Sequence, residues 1–139
     1  MRRFFIIDFD STLIQVESLD ILAEIALRNC SDREKRLSEV REITASGMEG
    51  GLSFSESLKR RIALLEIKRS DIDELVDVLK KEITPSFLEH KNFLQTHADD
   101  IYIVTGGFVE YVSPVVELLG LKATNVRANV FQFNEQGIV

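Results

Sequence analysis

Asp8 and Asp10 stand one residue apart at the end of the apolar run Phe4-Phe5-Ile6-Ile7, and Ser11 and Thr12 follow at once. Such a run suits a buried strand. Side chains alternate along a strand, so the two carboxylates are expected to share one face near its carboxyl end, where open parallel sheets bind their ligands. Like charges held so close repel unless a cation or a proton lies between them. Magnesium meets that need, because it takes oxygen ligands from one or two carboxylates, with water and phosphate completing the shell. The chemistry that such a pair suits is phosphoryl transfer. The same residues would serve equally as the cap of a following helix, since aspartate, serine and threonine all accept from free helix N–H groups.

A second element carries the other half of that chemistry. Ile101-Tyr102-Ile103-Val104 is a short β-branched run that opens into Thr105-Gly106-Gly107-Phe108. Thr105 offers a hydroxyl to a phosphoryl oxygen, and paired glycines let backbone N–H groups approach an anion. The alternative is an ordinary tight turn between a strand and a helix.

Together these residues resemble the haloacid dehalogenase superfamily of aspartate-nucleophile phosphatases, and within it the phosphoserine phosphatases. Asp8-Phe9-Asp10-Ser11-Thr12-Leu13 is similar to the first family motif and Val104-Thr105-Gly106-Gly107-Phe108 to the second. Between them, Gly47-Met48-Glu49-Gly50-Gly51-Leu52-Ser53-Phe54, followed by Glu56-Ser57-Leu58-Lys59-Arg60-Arg61, resembles the cap signature of the subfamily. The resemblance implies an α/β fold: a Rossmann-like parallel-sheet core, incomplete in this chain, with an inserted α-helical cap. The expected division is 1–13 as core with the nucleophile loop, 14–84 as helical cap, and 85–139 as core, continued and truncated.

The resemblance also implies roles. Asp8 is the expected nucleophile, forming an aspartyl-phosphate while its other oxygen meets Mg2+. Asp10 is the expected general acid and then base, with its backbone carbonyl on the metal. Thr105, Gly106 and Gly107 would hold the phosphoryl oxygens. Glu17 would meet the ammonium of a small phosphorylated amino acid, and Arg61 its carboxylate, a pairing that a guanidinium makes bidentately. Met48 and Phe54 would close over the site; as apolar residues they would equally pack within the cap. Two departures stand out. Thr105 replaces the serine usual in the subfamily, and the residues after it contain no aspartate and a single lysine, Lys122, expected on the surface after a helix. The family's later lysine and its Gly-Asp-Gly-x-x-Asp metal loop are therefore missing from this chain, which is expected to be the amino-terminal part of a longer protein and weakly active at most. The expected activity is Mg-dependent hydrolysis of O-phosphoserine. Alternatives are a phosphotransferase or phosphatase for another small phosphometabolite, and a non-catalytic binding or scaffolding protein.

The elements that must position these groups follow from the pattern. Leu19, Leu22, Ala23 and Ala26 make one helical face. Ser31 with Glu34, and Ser53 with Glu56, have capping-box spacing, the second opening a helix with Leu58, Ile62 and Leu65 inward. Ser70-Asp71 starts a helix with Ile72, Leu75 and Leu79 inward, and Thr84-Pro85 returns the chain toward the core. Phe87, Leu88, Phe93 and Leu94 suggest one further helix, and Ser113-Pro114 the start of another that stops at Gly120. Residues Val126 to Phe133 read as a strand, with a turn at Asn134-Glu135-Gln136-Gly137 and a partner strand beginning at Ile138-Val139.

Composition narrows the partners. Seventeen basic against 23 acidic residues give a net charge of −6, and no basic run is interleaved with aromatics, so nucleic acid is not expected. No apolar run reaches membrane-spanning length, and the stretch before Asp8 is too short for a signal peptide. A lone Cys30 makes no internal disulfide and fits a cytoplasmic setting, while His90 and His97 lack metal-ligand spacing and are expected on the surface. An incomplete core would expose a strand edge and invite self-association.

Overall fold

The computed structural model describes residues 3–139. Three parallel strands, β1 (Phe5–Ile7), β2 (Ile101–Phe108) and β3 (Val126–Asn129), lie in the order β1-β2-β3. Phe5 pairs with Ile101 and Ile7 with Ile103, while Ile103 also pairs with Val126. β2 is thus the middle strand, and it alone is long. Its Ile101 and Ile103 are buried, whereas Ile6 on β1 is 75% exposed, so the apolar run before Asp8 is not the buried strand its composition suggests. Helices cover one side of the sheet only; on the other side Phe4, Ile6, Tyr102 and Val104 line an open apolar face.

Seven helices fill the rest among the described residues: α1 (Ser18–Ala26), α2 (Arg33–Met48), α3 (Phe54–Leu65), α4 (Arg69–Lys80), α5 (Pro85–Glu89), α6 (Lys91–Thr96) and α7 (Val109–Leu118). α2 packs on α3, and α4 lies between α1 and α7. Leu22 and Ala23 of α1, Leu58 and Leu65 of α3, and Ile72, Leu75 and Leu79 of α4 are buried on the faces that their periodicity marks. Residues leaving and re-entering the sheet region run side by side: Gln15 donates to Glu82 O at 2.8 Å and Thr84 to Leu13 O at 2.9 Å.

Several boundaries differ from the pattern-based expectation. Ser53 Oγ does accept from Glu56 N, but α2 begins at Arg33 with no side-chain cap, because Asp32 turns to Arg36 and Cys30 instead of Ser31 closing a box. The Phe87–Leu94 stretch is two short helices broken at His90. α7 starts five residues before Pro114, which therefore sits inside it, and ends, as expected, just before Gly120 in the left-handed region at φ +79°. Proline there removes one N–H but leaves the rest of the helix intact where tertiary packing is strong; Tyr111, Val112, Val115 and Val116 are all buried. β3 ends at Asn129, and Ile138 bridges Lys68 rather than extending a hairpin, with Val139 N donating to Ile67 O at 2.8 Å. His90 is exposed as expected, whereas His97 is half-buried between Phe5 and Phe93. Among the described residues no helix is long and apolar enough to cross a membrane.

Candidate active site

β1 stops at Ile7, so strand alternation does not place the two aspartates. A wide turn over Phe9–Leu13 does, closed by Ile14 N on Phe9 O at 3.1 Å. Phe9 at its start is fully buried and packs near Tyr111, which anchors the turn in the core and leaves Asp8 and Asp10 on its outer side. Asp8 is exposed, and its Oδ1 accepts from Phe9 N at 2.8 Å. Asp10 is partly buried, and its Oδ1 accepts from Ser18 N at 2.8 Å. Ser18 is the first residue of α1, whose N-terminus has no cap of its own, so Asp10 is the acceptor for that helix's free N–H. The capping reading of the motif is thus met by Asp10 itself.

Burial raises the Asp10 carboxyl above the ordinary aspartate value; the Ser18 hydrogen bonds oppose this, and the nearby Glu17 and Asp8 carboxylates add to it. Ser11 adopts a left-handed φ of 54°, uncommon for serine, and from there its Oγ donates to Glu17 Oε1 at 2.8 Å. Glu17 is thereby held at the mouth of the same turn.

The Thr105-Gly106-Gly107 segment is not a turn. β2 continues through it to Phe108, but Val104 pairs with Arg127 and Phe108 with Asn129, so β2 carries more residues across this stretch than β3 and bulges. Thr105 Oγ1 accepts from Gly107 N at 3.0 Å, leaving the hydroxyl proton to donate elsewhere. Asn129 Nδ2 donates to Gly106 O at 3.0 Å and fixes that peptide. Close approach, not φ, marks both glycines, and it binds Gly107 the more firmly, because Tyr111 is fully buried whereas Phe54 is exposed and can shift. A Cβ on Gly106 would sit 2.9 Å from Phe54 Cζ, and one on Gly107 would sit 2.6 Å from the Tyr111 hydroxyl. Phe54, at the start of α3, therefore covers the bulge from the side of the packed α2 and α3 helices.

This turn and bulge at the carboxyl ends of adjacent parallel strands coincide with a profile match: the haloacid dehalogenase-like hydrolase family matches residues 5–137. The chain belongs to the haloacid dehalogenase-like hydrolases. Within that family it is 32% identical to human phosphoserine phosphatase over 130 residues, which cover 94% of this chain and 54% of the human protein. It is equally similar to the chloroplastic phosphoserine phosphatase of Arabidopsis thaliana, 32% over 130 residues, 94% of this chain and 41% of that protein. The chain thus spans about half the length of the curated relatives it matches. Among solved structures, a phosphoserine phosphohydrolase-like protein from Francisella tularensis superposes with a TM-score of 0.80 at 31% identity, covering 98% of this chain and 62% of that one. A substrate-bound phosphoserine phosphatase complex superposes at 0.67 with 26% identity, covering 100% of this chain and 61% of that one.

The remaining residues expected for this family are placed unevenly. Met48 ends α2 and is 86% exposed. Arg61 is half-buried on α3, where its Nε donates to Ser57 O of its own helix, and it makes no ion pair among the described residues. The structure brings Asp8, Asp10 and Glu17 together, and Phe54 onto Gly106; it records no contact of Arg61 or Met48 with them. Lys122 is exposed and pairs with Asp99. Among the described residues no group of three or more histidine, cysteine or acidic side chains is arranged to hold a metal ion. Sequence reasoning missed Ser18, Tyr111 and Asn129. Ser18 carried a usable signal, since an uncapped helix start eight residues after an aspartate needs an acceptor; Tyr111 and Asn129 carried none.

Proposed function

We propose that this chain carries the nucleophile, the general acid–base and the phosphate cradle of an O-phosphoserine phosphatase. The carrying observation is the contrast between neighbours: Asp8 is exposed at the mouth, whereas Asp10 is partly buried with its carboxyl raised. Paired carboxylates in unlike environments suit a nucleophile beside an acid. Asp8 attacks phosphorus and becomes an aspartyl-phosphate. The leaving serine oxygen takes the Asp10 proton, and Asp10 then accepts a proton from the water that attacks the acyl phosphate. Thr105 Oγ1 and the Gly106 backbone bind the phosphoryl oxygens, with Asn129 holding the Gly106 peptide in place.

Oxygen donors suit magnesium, and one Asp8 oxygen is free of the Phe9 hydrogen bond, so Asp8 and the Asp10 carbonyl are the groups that would hold it. When bound, the ion neutralises phosphoryl charge. Glu17, tied to Ser11 beside Asp10, faces the substrate ammonium, and Arg61 meets the carboxylate after its side chain leaves Ser57 O. The 32% identity to phosphoserine phosphatases supports this substrate class.

The test uses the complete polypeptide encoded by the reading frame, with O-phosphoserine and Mg2+. Asp8→Asn is expected to lower phosphate release by at least about a thousand-fold. Arg61→Ala is expected to cost phosphoserine roughly 10- to 100-fold in kcat/KM, the worth of a charge-assisted contact, and to leave a neutral aryl phosphate nearly unchanged. Turnover by Asp8→Asn near that of the parent would sink the assignment; equal losses on both substrates would make Arg61 structural.

A further inference from the structure

Tyr111 lies on α7, which no motif marks, yet it touches both halves of the site. It is fully buried, and its hydroxyl accepts from Ser18 Oγ at 2.9 Å. Ser18, also fully buried, is the residue whose backbone N–H holds Asp10. On its other side the hydroxyl is the atom nearest to where a Gly107 side chain would stand, at 2.6 Å, so it abuts the Gly107 backbone. Its ring is wedged among Phe9, Phe108 and Phe131, at centroid distances of 6.3, 6.3 and 6.4 Å. Phe9 lies between the two aspartates in sequence, and Phe108 closes the cradle.

A phenylalanine would fill that aromatic cluster without the expense of burying an oxygen. A buried hydroxyl persists when it is partnered, and here it bonds Ser18 at the start of α1 on one side and abuts Gly107 in the bulge on the other. Burial holds the phenol well above its ordinary pKa, so it remains a neutral donor and acceptor throughout the working range. We propose that Tyr111 is a positioning residue whose hydroxyl, through Ser18, ties the Asp10 turn to the Gly106–Gly107 cradle and sets the reach of the acid across the phosphoryl site. The β1–β2 pairing ends at Ile7 and Ile103, before either loop, so beyond it the Tyr111 link adds to what holds turn and bulge together. The inference rests on reading Asp10 and residues 105–107 as one site.

The test is amide hydrogen exchange by NMR on the 139-residue chain, in the parent, Tyr111→Phe, Ser18→Ala and the double variant. Each single variant strands one buried hydroxyl, whereas the double variant removes both partners and is expected to fold with near-parental stability. All three are expected to exchange at least about ten-fold faster than the parent at Ser18 and at Gly107, with Ile103, Val115 and Val116 little changed. The response of Gly107 to Ser18→Ala is the decisive one, because packing around the ring is then untouched. Parental rates at either amide in the double variant would overturn the inference, as would a Ser18→Ala effect confined to Ser18. The readout needs no turnover, so coupling without Asp8-dependent hydrolysis overturns the functional reading alone, and Asp8-dependent hydrolysis without coupling overturns this inference alone.

Discussion

Asp10 is asked to be two things that conflict: the acceptor for an uncapped helix and an acid kept partly from water. Because burial raises its pKa in the folded chain, ionising it costs the fold stability. A raised carboxyl contributes most in acid, where it is neutral in both states, and that contribution is lost as pH rises through the folded value. Asp10→Asn keeps an oxygen for the Ser18 N–H and is neutral throughout. In metal-free buffer the variant is therefore expected to melt above the parent at pH 7, with the difference shrinking as pH falls through the Asp10 titration; a gain independent of pH, or none, refutes the desolvation argument. The type and spacing of Asp8, Asp10 and the Thr105-Gly106-Gly107 run were legible in the sequence because the chemistry is local in each. What joins them was not: Tyr111 Oη reaches Ser18 across a separation of 93 residues, and nothing in a linear pattern distinguishes that tyrosine from a core aromatic.

Elements were legible where periodicity and burial agree, as in α1, α3 and α4, and misread where a local signal was overruled by packing. Ser113-Pro114 has the form of a helix start, yet four buried α7 residues, two before and two after it, hold one continuous helix through the proline. The single helix expected over Phe87–Leu94 breaks because only Leu94 of its apolar set is buried, leaving too little to hold a longer helix straight. α3 shows the opposite case, a good helix with a poor end. Its cap, Glu66, adopts φ 48° and ψ 51°, a conformation that costs a residue with a Cβ what glycine avoids. Its partner Arg36 is 3.9 Å away, half-buried and already paired with Asp32 at 3.0 Å, while Glu66 itself is exposed, so little is lost on removing the carboxylate. Glu66→Gly is expected to stabilise the chain by roughly 0.5–1 kcal/mol, after the unfolded-state entropy of glycine is counted. Urea denaturation with unchanged slope and a higher midpoint checks it; a lower midpoint would mean that the Arg36 contact outweighs the backbone strain.

At the scale of the molecule, the parallel order and the helices on one side place the Asp8 turn and the β2 bulge next to each other, and they also leave the opposite side of the sheet bare. Phe4, Ile6, Tyr102 and Val104 share that face, and the outer edge of β1 is unpaired among the described residues. An apolar sheet face beside an open strand edge is the arrangement that recruits another chain. The net charge of −6 opposes association at low salt, and the one charged side chain beside the face, Arg127 over the Tyr102 ring, sits at its β3 margin and leaves the β1 edge uncharged. The 139-residue chain is therefore proposed to pair with a second copy through β1 and this face. In sedimentation velocity the parent is expected to shift from monomer to dimer over about a hundred-fold rise in concentration, more readily as salt screens the charge. Ile6→Lys, at a position already 75% exposed, puts a charge on the face without disturbing the core and should return the chain to monomer with its melting temperature unchanged. A parent that stays monomeric at every concentration would show that the bare face is solvated without consequence. Association that survives Ile6→Lys would move the contact to another part of the surface.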